Sequence, residues 1–100
     1  MEKNMGDSVV PDSSFSGTPR DYSDDLHRVY FEVGEHEGIA GRVIADYLGP
    51  LRSQSLVTLP HGYECDLPVQ AVPDVVRALS RENIGVYQVV RIARVAGRWT

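Results

Sequence analysis

Between His27 and Val33 the chain alternates: Val29, Phe31 and Val33 are apolar, with Arg28, Tyr30 and Glu32 between them. A period of two with one apolar face is the pattern of a half-buried strand. Six residues on, the spacing lengthens. Ile39, Val43, Ile44, Tyr47 and Leu48 fall on one face of a helix. Gly49 and Pro50 stop it, since glycine takes the left-handed conformation freely and proline cannot continue a helix.

The change of period then repeats. Leu56, Val57 and Leu59, within residues 55–60, predict a short strand, and His61-Gly62 a turn. Tyr63, Cys65, Leu67 and Val69 alternate with Glu64 and Asp66, a second half-buried strand that completes a hairpin. Pro73 suits a first helical position, the stripe Val72, Val75, Val76 and Leu79 follows, and Asn83 is a tolerable left-handed end. Residues 86–95, β-branched at 86, 89, 90, 92 and 95, read as a last strand.

The order β-α-β-β-α-β within about 70 residues predicts an α+β fold of ferredoxin-like type. Two right-handed β-α-β units joined through a hairpin give a four-stranded antiparallel sheet with both helices on one face. The other face stays open. It is expected to carry Arg28, Tyr30, Glu32, Glu64 and Asp66, the predicted interaction face. The last strand is ambiguous, because both of its alternations contain an arginine, Arg91 in one and Arg94 in the other.

With 100 residues the chain holds one domain, too short for a two-domain enzyme, a barrel or a doubly wound nucleotide fold. Its net charge of −4 is unevenly spread. Residues 1–25 carry six acids (Glu2, Asp7, Asp12, Asp21, Asp24, Asp25) against Lys3 and Arg20, whereas the remainder balances eight acids with eight arginines. Serine, proline and glycine are frequent in 1–25 and apolar residues few, so this segment is expected to be a disordered acidic leader. The domain is then expected over 26–97, with 98–100 as a C-terminal tail.

The lone cysteine, Cys65, forms no internal disulfide, which excludes a stapled secreted scaffold. No run approaches the ~18 apolar residues of a membrane span, and Glu2, Asn4 and Asp7 stand where a signal peptide would be apolar. The expected location is cytoplasmic, away from membranes.

Catalytic motifs are missing from the sequence. No Cys-x-x-Cys or His-x-x-x-His suggests a zinc site, and Cys65 lies on the inward alternation of its strand, where burial raises a thiol's pKa. Gly34-Glu35-His36-Glu37-Gly38 lacks the ending of a phosphate loop, and its glutamates would repel phosphate while complementing the helix dipole. Neither an enzyme nor a bound cofactor or metal is expected. A nucleic-acid binder is the alternative, because RNA-recognition modules of this topology stack bases on sheet aromatics. Tyr30 with Arg91, Arg94 and Arg98, beside Trp99, would form that surface.

Two stretches together resemble the ACT domain, a small regulatory module. Residues 33–48, Val-Gly-Glu-His-Glu-Gly-Ile-Ala-Gly-Arg-Val-Ile-Ala-Asp-Tyr-Leu, look like its strand, glycine-containing loop and helix. Residues 75–89, Val-Val-Arg-Ala-Leu-Ser-Arg-Glu-Asn-Ile-Gly-Val-Tyr-Gln-Val, look like its passage from helix to final strand. Glu37-Gly38 stands where that family's loop has Asp-x-x-Gly or Pro-Gly. The resemblance implies a small ligand bound by Gly34, Glu35, His36 and Gly38 at a subunit contact. Residues 73–89 also resemble the accessory segment at the C-terminus of some bacterial ABC-transporter ATPases. The functional expectation is a regulatory or protein-interaction module, a homodimer or the companion of another protein.

Overall fold

Strand β1 (Asp25–Val33) buries His27, Val29, Phe31 and Val33 and leaves the residues between them half-exposed. The alternation predicted from sequence thus extends back to include a histidine. This computed structural model describes residues 15–35 and 37–99. Helix α1 (Ile39–Arg52) follows, burying Ala40, Ile44 and Leu48. Gly49 interrupts it with φ 85° and ψ 168°, the break expected at Gly49-Pro50. A short turn at Ser53–Ser55 leads to β2 (Val57–Leu59), and β3 (Gly62–Leu67) returns beside it.

Helix α2 (Val72–Arg81) buries Val75 and Leu79 against the sheet. Its end is a Schellman motif. Asn83 is left-handed at φ 60°, its N–H donates to the Ser80 carbonyl at 3.0 Å, and the Ile84 N–H reaches the Leu79 carbonyl at 3.1 Å. Ile84 and Leu79 are both buried, the apolar contact that accompanies this cap. Tyr47 joins the helices, its hydroxyl donating to Asp74 Oδ2 at 3.2 Å. Burial, and then the charge of Asp74, raise the pKa of that phenol.

Strand β4 (Val86–Arg98) completes one antiparallel sheet in the order β2-β3-β1-β4. This is the ferredoxin-like arrangement, with β1 and β3 central and β2 and β4 at the edges. The core is built from Val29, Phe31, Val33, Tyr63, Cys65 and Leu67 of the sheet against Ala40, Ile44, Leu48, Val75 and Leu79 of the helices. Each such large side chain contributes about 1.5–3 kcal/mol by leaving water.

The boundaries differ from those expected. Residues 1–14 of the expected leader lie outside the described residues; of the rest, Asp25 is in β1, and residues 15–24 form a strap hydrogen-bonded to the domain. Nor do residues 98 and 99 trail off as a tail. Arg98 ends β4, the Trp99 N–H donates to the Asp24 carbonyl at 2.9 Å, and the Trp99 ring stacks on Tyr47 with centroids 6.4 Å apart. The Arg52 guanidinium lies 4.0 Å over the same ring.

Candidate functional site

Cross-strand pairing sorts the sheet residues by face. On the side away from the helices three rows cross the sheet. Asp66, Arg28 and Ala93 form one, Val57, Glu64, Tyr30 and Val90 the next, and Leu59, Gly62, Glu32 and Gln88 the third. The five residues expected on the open face are therefore together. Two of them are paired with each other, however. Arg28 makes a forked contact with Asp66, Nε to Oδ1 at 3.0 Å and Nη2 to Oδ2 at 3.3 Å. That hydrogen bond raises the Arg28 pKa further. The Tyr30 ring lies over Gly62, filling the space where a Cβ would stand.

The loop after β1 is likewise self-contained. Glu35 Oε2 accepts the Glu37 N–H at 2.7 Å and Oε1 the Ala40 N–H at 2.6 Å, so this carboxylate caps α1. Burial alone would raise its pKa, but hydrogen bonds from Ala40, Glu37, Ile39 and Gly38 outweigh that and lower it. A helix start with free N–H groups attracts anions; here Glu35 already fills the place. Gly34 packs under the Tyr87 ring, and Gly38 is the left-handed residue before α1. His36 lies outside the described residues.

Bulges resolve the ambiguity of the last strand. Val29 pairs with Arg91 and Arg28 with Ala93, so Ile92 is extra and the alternation shifts beyond it. Arg91 and Arg94 consequently share the helix side, opposite Val29 and His27, while Tyr30 is on the other face. Arg94 and Arg98 are drawn to Asp25, at 3.2 and 3.8 Å. The expected nucleic-acid surface of Tyr30, Arg91, Arg94 and Arg98 is not assembled: Arg91 pairs with Val29 on the helix side, and the inserted Ile92 brings Arg94 to that side as well, away from Tyr30.

Sequence reasoning missed a polar cluster beneath the strap. His27 is fully buried, and its Nε2 stands 3.4 Å from Asp21 Oδ2, too long for a well-formed hydrogen bond. Arg91 Nη1 is 3.4 Å from His27 Nδ1. A guanidinium only donates, so any hydrogen bond there has Nδ1 as its acceptor. Asp21 is 7% exposed, yet it accepts the Gly17 N–H at 2.9 Å and the Ser23 hydroxyl and N–H at 2.6 and 3.0 Å. Burial pushes its pKa up. The Ser23 hydroxyl, the Gly17 and Ser23 amides and His27 together more than reverse this, to about 2. Gln70 fastens the strap from the other side, donating to the Pro19 and Asp21 carbonyls at 2.7 and 3.0 Å. The available signal was phase: His27 is in step with Val29, Phe31 and Val33.

Cys65 is buried and its thiol is pushed up to about 12, by burial first and then by Asp66. Such a thiol stays protonated and unreactive at neutral pH. Among the described residues no three His, Cys, Asp or Glu gather as a metal site, and no helix is long and apolar enough to cross a membrane. Set against protein-family models, curated proteins and solved structures, the chain shows no match.

Proposed function

We propose that this chain is a non-catalytic protein-interaction module whose docking element is the outer edge of β4, paired antiparallel with β4 of a second copy. The length of that strand carries the reading. β4 runs for 13 residues, has β1 as its one partner in the sheet among the described residues, and contains neither lysine nor proline. Its arginines and bulges are among the devices that blunt an exposed edge, but at 13 residues it is far from the very short strand that is another of them. Tyr87 is 76% exposed, Ile92 47% and Val89 38%, apolar side chains that a neighbouring strand would cover. Two of the strand's three arginines are drawn to Asp25, which reduces the repulsion between two copies.

A regulatory ligand at Gly34, Glu35, His36 and Gly38, as in the ACT resemblance, is less favoured. It would have to displace the Glu35 carboxylate from N–H groups that it already satisfies. Sedimentation over a concentration series tests the proposal. The expected mass is that of a dimer at micromolar concentration, with Ile92→Lys weakening self-association at least about tenfold. A chain that stays monomeric at millimolar concentration, with rapid hydrogen exchange along β4, overturns it.

A further inference from the structure

Helices α1 and α2 leave the helix side of β4 near Val89 and Arg91 to the strap. The strap does not fill the space. A cleft of about 270 Å³ remains there, with Val29 and Val89 from the sheet, Val72 and Pro73 from α2, and Pro19 from the strap among its walls. Its volume is just below the ~300–1,000 Å³ usual for ligand pockets, which suits a small ligand, and its walls have the expected apolar character. Arg91 also lines the cleft. Gly17 lets this side chain lie against the strap, because a Cβ at that position would collide with its guanidinium.

We propose that this cleft binds a small apolar carboxylate, with the carboxylate on Arg91 and the apolar body on Val72, Pro73 and Val89. Among the described residues Arg91 has one hydrogen-bond contact, the 3.4 Å approach to His27 Nδ1. Most of its five N–H donors are therefore unspent, in the fork that matches a carboxylate. Asp21, the acid of the strap, is turned onto Gly17, Ser23 and His27. Arg94 and Arg98 are committed to Asp25, so Arg91 is the arginine of β4 free to receive an anion.

Two-dimensional amide NMR of the full chain tests this, titrating octanoate and, separately, octanol. Octanoate is expected to give saturable shifts at Gly17, Gln70, Val89 and Arg91, with octanol about tenfold weaker or more. Arg91→Gln is expected to remove the preference for the acid, while Arg94→Gln keeps it. If Arg91→Gln fails to fold, Arg91→Lys serves, retaining charge but losing the fork, with octanoate several-fold weaker. Absence of saturable shifts overturns the site, as does equal binding of acid and alcohol or an unchanged preference in both Arg91 variants. The sedimentation mass reads the β4 pairing separately, so either proposal can fail alone.

Discussion

Strands β1 and β4 are adjacent, both rich in β-branched and aromatic residues, and their sequences have had opposite fates. β1 is held on both sides, by β3 and by β4, and its alternation survives intact, with four inward side chains buried in succession. β4 is held on one side. Three irregularities interrupt its pairing with β1, at Tyr87, at Ile92 and between Arg94 and Arg98. A central strand cannot insert a residue without disturbing two ladders at once; an edge strand disturbs one. Strict period two is thus a property of a strand's neighbours as much as of its residues.

The largest test of that contrast is Phe31→Ala against Ile92→Ala. The Phe31 ring is fully buried in β1, so its loss is expected to cost about 3–5 kcal/mol in urea unfolding. Ile92 is bulged and half-exposed, and its truncation should change the stability of the monomer, measured below the concentration of self-association, by no more than about 0.5 kcal/mol. Comparable losses at both sites would abolish the distinction. Gly62→Ala probes the other neighbour of β1, because the added Cβ would collide with the Phe31 carbonyl and the Tyr30 ring. The expected cost is about 1–3 kcal/mol, with chemical-shift changes in β1 and β3 exceeding those in β4.

The smallest effect concerns the strap across the two strands. Asp21 has a folded pKa of about 2 against an ordinary 3.8. A carboxylate with a depressed folded pKa stabilises above its unfolded pKa, and that contribution is lost as the pH falls from about 4 toward 2. Unfolding midpoints of Asp21→Asn should be lower at neutral pH and flatter across that window. Parallel curves for the two proteins would show that Asp21 does not anchor the strap.

Much of the fold could be read because it depends on apolar spacing. The stripes of α1 and α2, the stop at Gly49-Pro50 and the left-handed Asn83 all use local chemistry that the sequence states directly. The strap could not be read in this way. Its order comes from one carboxylate and the side chain of Gln70, 49 residues away from Asp21 in the chain, and a count of apolar residues does not register such anchors. Glu35 was placed at the right helix end for its charge, but its hydrogen bonds to Glu37 and Ala40 are a matter of loop geometry. That Arg94 shares the face of Arg91 depended on a single unpaired residue, Ile92, that no periodicity announces.

The hydrogen bond from the Trp99 amide to the Asp24 carbonyl has a consequence for architecture beyond this chain. It holds the entry to β1 and the exit from β4 side by side. A domain whose ends meet can be spliced into a surface loop of another protein with little loop-closure entropy, or opened elsewhere and rejoined there by a short linker. The sheet and both helices lie between Asp24 and Trp99, and the strap would enter such a host ahead of them.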